Sequence, residues 1–264
     1  MTEIWSSLVV LGLLCGSAAL GFYVRPRLPE AHTTPEATDV IRLISGMLVT
    51  FAVIVLGLLT TSVKSAFDAA DHDRGQYAAR LTELDQCLRN YGPEADPARA
   101  ELRNYTAAVI VSTWPSAKLP AGVVRPDTTG LPRMGESDAL WRILNRVNLE
   151  ILHLQPRDGL QQKLQADCAE LFKEVTRQRW TIIEEARGSV SRPFYVVLMF
   201  WLMIVFASFG LYAPRNGMVL VAVAIAAICL TSSIFVILDM DVPYGGLFGI
   251  SSHAMGDALV HMAR

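Results

Sequence analysis

An all-α integral membrane protein is the fold class this sequence predicts, with four transmembrane helices and a central extramembrane region of four more. Three observations predict it. Four uncharged apolar stretches each approach the ~20 residues that a helix needs to cross hydrocarbon. They stand in pairs, two before and two after a long polar segment. Charged residues are 18% of the chain and hydrophobic ones 52%, where soluble domains carry about 25% charged residues.

The first stretch covers about residues 4–24 and the second about 43–63, bracketed by Arg42 and Lys64. The third covers about 194–212, entered through Arg192-Pro193, and the fourth about 218–238, followed by Asp239 and Asp241. Backbone amides in lipid find no water, so each stretch should close its hydrogen bonds as a helix. The chain then divides into a first membrane pair (1–63), a helical extramembrane domain (64–192), a second membrane pair (193–238) and a C-terminal tail (239–264). A cleaved signal peptide is the rival reading of the first stretch. Ser17-Ala18-Ala19 offers small residues, but the leading Met-Thr-Glu lacks a basic region, so the stretch is read as retained. Trp5, Tyr23, Tyr212 and Tyr244 sit near the proposed span ends, where amphipathic rings settle.

Within the polar segment, Phe67, Ala70, Tyr77, Leu81, Leu84, Leu88 and Tyr91 follow a 3-4 spacing, interrupted once at Arg74. That stripe predicts a helix continuing the second membrane helix until Tyr91-Gly92-Pro93 stops it. A shorter helix follows over about Pro97 to Trp114, with Leu102, Tyr105 and Val109 on one face. Pro115, Pro120, Pro126 and Pro132 make residues 115–136 a loop. Ser137 or Asp138 caps a third helix, striped by Leu140, Leu144, Val147, Ile151 and Leu154 and ended by Gln155-Pro156. A fourth begins near Asp158, carries Leu160, Leu164, Cys168, Leu171, Val175 and Ile182, and runs towards Arg192. Such rows are usually the core of an antiparallel bundle.

No catalytic constellation emerges. The five histidines are scattered, and no HExxH, CxxC, GxGxxG or phosphate-cradling loop occurs. Asp71-His72-Asp73 reads as a solvated helix face, because adjacent residues point apart on a helix. We therefore expect no enzyme, no catalytic or metal site and no cofactor. The net charge of −2, without a basic run, excludes a nucleic-acid surface. Cys15 and Cys229 lie in membrane stretches and read as packing residues. Cys87 and Cys168 both lie in the polar segment. They can bridge if it faces an oxidising compartment and stay thiols if it is cytosolic.

The second stretch is the most suggestive. Gly46, Thr50, Val53, Gly57 and Thr61 recur at 3-4 spacing and form a narrow stripe of mostly small or hydroxylated residues, opposite Leu, Ile, Val, Met and Phe. Such a stripe serves close helix packing or faces a water-filled pore. Gly12-x-x-x-Gly16 in the first stretch is a packing motif. Lys64 and Asp68 leave the second stretch at i, i+4, and Asp239 and Asp241 leave the fourth on the same side. Repeated round an oligomer, these charges would form rings at a pore mouth; singly, they anchor helices at the interface.

Four segments carry a family resemblance: Arg25-Pro26-Arg27-Leu28-Pro29-Glu30, Leu56-Gly57-Leu58-Leu59 leading to Lys64-Ser65-Ala66-Phe67-Asp68, Phe200-Trp201-Leu202 leading to Ala213-Pro214-Arg215-Asn216, and Ile237-Leu238-Asp239-Met240-Asp241-Val242-Pro243-Tyr244-Gly245-Gly246-Leu247 with Ile250-Ser251-Ser252. On these the chain resembles the bacterial bestrophin-like membrane protein family. The resemblance implies a bestrophin-like oligomeric ion channel, pentameric, in the bacterial cytoplasmic (inner) membrane. The second helix would line the pore, and the partners would be the lipid bilayer, further copies of the chain and small inorganic ions. Two departures stand out. The acidic run that senses calcium in animal bestrophins is not reproduced, and the stripe holds no Phe, Phe51 falling off it. The alternative reading is a non-conducting membrane sensor or scaffold signalling through its helical domain.

Sidedness is read two ways. Arg25, Arg27, Arg42 and Arg215 fall in the two short connections, which the positive-inside rule places in the cytoplasm. The resemblance implies the reverse, with the central domain cytosolic. Lys64, Arg187 and Arg192 on that domain's side dilute the charge signal.

Overall fold

Every regular element in the computed structural model is helical among the residues it describes, which are 2–27, 34–120, 123, 125–126, 137–185, 192–214 and 216–264. In chain order the α-helices are α1 (Thr2–Val24), α2 (Pro35–Tyr91), α3 (Asp96–Thr113), α4 (Asp138–His153), α5 (Gly159–Glu185), α6 (Arg192–Tyr212), α7 (Gly217–Met240) and α8 (His253–Met262). They form two compact units. The first holds Met1–Ala66, Ser189–Val242 and Gly246–Phe248; the second holds Phe67–Gly188, Pro243–Gly245 and Gly249–Arg264. One helix, α2, contributes to both.

The first unit contains α1, the leading part of α2, α6 and α7. All four helices are long and apolar enough to cross a bilayer. Its centre is α1, whose Val10, Leu14 and Ala18 pack with Leu198, Leu202 and Phe206 of α6 and Ala227 and Ile234 of α7. Lipid tails are as apolar as leucine, so shape rather than water expulsion must hold these helices together. The shape is set at Gly21 and Gly210. A Cβ on Gly21 would stand 2.2 Å from the Ala207 carbonyl oxygen, and one on Gly210 would stand 2.0 Å from that of Ala18. The Gly12/Gly16 pair expected to pack does not: nothing lies within 4 Å of a Cβ at either position. Facing outward are Trp5, Leu20, Leu43, Leu58, Met218 and Leu220, each more than half exposed. Water would not tolerate so much bare apolar surface; hydrocarbon does.

The second unit buries the predicted stripes. Tyr77, Leu81, Leu84, Leu88 and Tyr91 of α2, Leu102 and Tyr105 of α3, and Leu140, Leu144, Val147 and Ile151 of α4 share one core. Gly92 ends α2 at φ 122°, a conformation that L side chains rarely adopt, and Pro93 opens a 3₁₀ turn. Ser137 is the cap of α4, accepting from the Leu140 amide at 3.4 Å. The α5 stripe is corrected at Leu160, which is exposed; Leu171 packs half-buried against the core, and Phe172 beside it is buried as well. A larger difference is at the C-terminus. The segment read as a tail carries α8, whose Met255, Ala258, Leu259 and Met262 complete this core. The Trp114 indole fixes its approach by donating to the Ile250 carbonyl at 2.7 Å. Most of the proline loop, including Pro132, lies outside the described residues.

Cys87 of α2 and Cys168 of α5 form a disulfide, with Cα atoms 5.7 Å apart. It closes an 81-residue separation, for which the chain-entropy account gives about 4.5 kcal/mol. Reducing the purified protein should lower the thermal stability of this unit by an amount of that order, read by circular dichroism with and without dithiothreitol. In the membrane unit, Gly210→Val forces apart two backbones and should cost on the order of 3 kcal/mol, whereas Gly12→Ala, with open space for its methyl, should not destabilise and should gain up to about 1 kcal/mol of helix propensity. Unfolding of both variants in detergent separates them.

Candidate permeation surface on the second helix

The membrane segment of α2 is the least covered of the four. Only 11% of its apolar window is buried, against 22% to 33% for the others. Its inner face is narrow: Ser45, Ala52 and Val63 are buried, and most of the rest is open. All five stripe residues, Gly46, Thr50, Val53, Gly57 and Thr61, are exposed on this helix. A Cβ at Gly46 or Gly57 would meet nothing within 4 Å. The small residues therefore do not serve close packing inside the chain. The Thr50 and Thr61 hydroxyls donate to the Gly46 and Gly57 carbonyls, both at 3.0 Å, which turns their oxygen lone pairs outward as acceptors.

Beside the stripe runs a cleft of about 380 Å³ lined by Arg42, Ser45, Gly46, Ser208 and Tyr212 among others. A second hollow, about 140 Å³ and almost wholly apolar, continues from Val49 and Phe209 towards Ala226 and Leu230. Both belong to the membrane unit.

Of the expected pore-mouth charges, Lys64 and Asp68 are exposed on α2 and Asp241 is half-buried, and each engages other groups. Asp239 is a correction. Its side chain is 1% exposed, and its carboxylate accepts from the Leu247 amide at 3.0 Å and the Phe248 amide at 2.8 Å. Gly246 makes that turn at φ 73°, where a Cβ would strike the same carboxylate. Asp239 is spent on holding the chain as it leaves α7. The Gly245-Gly246 pair was the signal, since a carboxylate before a glycine turn commonly binds its amides.

The helical unit holds a polar centre that periodicity did not reveal. Arg74, the interruption in the α2 stripe, is buried, with its guanidinium 5.2 Å from the Trp114 ring and 4.5 Å from the Tyr244 ring. Arg179 is likewise buried between Trp141 and Trp180. Ring faces attract a cation, which offsets part of the cost of removing it from water. Between them Tyr77 and Tyr105 share a hydrogen bond of 2.6 Å, and burial pushes both phenols above their ordinary range. At the end of α5, burial and, after it, the neighbouring Asp73 carboxyl together push the Glu185 carboxyl up to about 7. His72 faces outward, 2.8 Å from Gln76.

The sequence matches the family described as "Bestrophin-like domain" over residues 12–255. No curated protein matches it. Among solved structures it is similar to a bacterial bestrophin homologue from Klebsiella pneumoniae, crystallised in several mutant forms. One has TM-score 0.67 at 16% identity and covers 100% of both chains. A second has TM-score 0.64 at 14% identity and covers 100% of this chain and 99% of the other. At such identities the likeness shows the fold.

Glu185 yields a pH prediction. Its folded-state pKa of about 7 stands above the ordinary 4.5, so the folded state keeps a proton that the unfolded state releases. Stability of the helical unit should therefore fall as pH rises from 4.5 to about 7. Glu185→Gln should flatten that slope in melts taken across the window.

Proposed function

The chain belongs to the bestrophin-like family, and from that premise we propose that it is an oligomeric ion channel whose second transmembrane helix lines the pore. Copies of the chain, five by analogy with bestrophins, surround an axis in the cytoplasmic membrane. The Gly46, Thr50, Val53, Gly57 and Thr61 stripe of each α2 faces that axis, and small inorganic ions pass along it. Lys64, Asp68 and Asp241 stand towards the mouth; Asp239 takes no part, because its carboxylate is occupied.

One observation carries this reading. A row of small and hydroxylated residues is left bare on the least covered membrane helix, with open space above both glycines. Bulky apolar side chains would suit lipid better, and packing within the chain does not use the row. Small side chains along such a row would leave room for an ion with part of its hydration, and threonine oxygens could replace some of the water.

Purified protein in planar lipid bilayers should pass ion-selective current. Gly57→Leu should reduce that current by at least about tenfold and Thr50→Trp should alter its selectivity, the change expected when a constriction gains a bulky side chain. Silence of wild-type protein under varied ions and voltages, in a preparation that retains its oligomer, would sink the proposal.

A further inference from the structure

We propose that the chain is threaded with its helical unit on the extracytoplasmic, oxidising side of the membrane and its two short connections in the cytoplasm. The inference stands apart from whether the protein conducts.

The first support is chemical. Cys87 and Cys168 are joined, and both residues are sunk in the core, at 8% and 0% exposure. Structural disulfides persist where the surroundings oxidise thiols and are rare where glutathione and thioredoxin keep them reduced. This bridge ties the distal part of α2 to the middle of α5, so its compartment is the compartment of the unit. The two remaining cysteines, Cys15 and Cys229, lie on membrane helices and stay free.

The second support is electrostatic and independent of the first. Short connections of a membrane protein are retained in the cytoplasm by Lys and Arg, with Asp and Glu contributing little. Arg25, Arg27 and Arg215 fall in the two short connections, and Arg42 stands early in α2 beside the first of them. The structure gathers Arg25, Arg27 and Arg42 at one end of the membrane unit. Arg25 donates to the Ala213 carbonyl at the end of α6, and Arg42 lines the cleft that Tyr212, Ala213 and Pro214 share. Arg27 follows Arg25 directly, its guanidinium lying 3.7 Å over the Tyr23 ring. In the sequence, Lys64, Arg187 and Arg192 flank the polar segment, which is longer than the ~60 residues over which charge governs retention.

Full-length protein carrying Asn104→Cys, exposed on α3, or Asp39→Cys, exposed near the start of α2, tests the threading. Spheroplasts are treated with a membrane-impermeant maleimide before and after lysis, with the wild type as background. Asn104→Cys should react in intact spheroplasts and Asp39→Cys only after lysis. A second measurement needs no introduced cysteine. In acid-quenched cells, Cys87 and Cys168 should take a mass-tagged maleimide only after dithiothreitol, and Cys87→Ser should remove that difference. Labelling in the opposite order, or free thiols at Cys87 and Cys168 in quenched cells, overturns the proposal.

Discussion

The contact of α1 with α6 at Gly21 and Gly210 fixes the membrane unit, because at each glycine one helix lies against the backbone of the other. Hydrocarbon offers no force comparable to water expulsion, so helices associate there by fitting closely or by hydrogen bonding. Once α1 is seated between α6 and α7, its inward face is spent and little remains with which to hold α2. The second helix touches the rest on one face, where Ser45, Ala52 and Val63 are buried and Val55, Leu56 and Leu59 are half-buried, and leaves the stripe bare. A bare face made of glycine and threonine is what the proposed pathway requires, and it exists because the tight packing happens elsewhere.

The helical unit follows different physics. Water is its alternative environment, and each fully buried leucine there contributes roughly 1.5–3 kcal/mol. That is enough to accommodate charge at the centre. Asp85, buried, is met by Arg99 at 3.0 Å and Arg89 at 3.2 Å. Arg74 and Arg179 instead lie over aromatic rings. Breaking either arrangement would strand a buried charge, which costs far more than the intact arrangement contributes. The disulfide acts on the unfolded chain rather than on these contacts, so reduction and arginine removal weaken the unit by separate routes.

Most of this architecture was legible in the sequence. The four spans were read within a few residues, since length and lack of charge need no tertiary knowledge. The bundle stripes on α2, α3 and α4 were read residue by residue, and Gly92-Pro93 stopped α2 where expected. What escaped depends on neighbours distant in the chain. Gly21 and Gly210 are 189 residues apart by their numbers and belong to no local motif, whereas Gly12-x-x-x-Gly16 has the motif and no neighbour. Arg74 and Arg179 sit where spacing asks for an apolar residue, and only Trp114, Tyr244, Trp141 and Trp180 explain why a cation is tolerated. For α8, ten residues with a scattered apolar pattern gave too short a signal to read. Asp239 was read as a surface charge because its amide partners come eight and nine residues later.

The same 3-4 spacing on one helix thus carries two meanings, divided near residue 66. Beyond it, Tyr77, Leu81, Leu84 and Leu88 are large and apolar, water penalises their exposure, and the row is buried. Before it, Gly46, Thr50, Gly57 and Thr61 are small, the alternative is lipid, and the row stays open. Lipid gains nothing from a shallow face, since tails cannot fill gaps beside glycine as well as a leucine would. Water, ions or another helix gain from it. A small-residue row in a membrane helix is therefore a place reserved for something other than lipid, and the structure leaves that place vacant within the chain. Of the occupants, a helix of a second copy would need its own shallow face to approach closely. In the proposed assembly, the exposed Leu43, Ile54 and Leu58 would offer a neighbouring copy ordinary side-chain packing on better terms. The stripe is then the face that the proposed pathway would use.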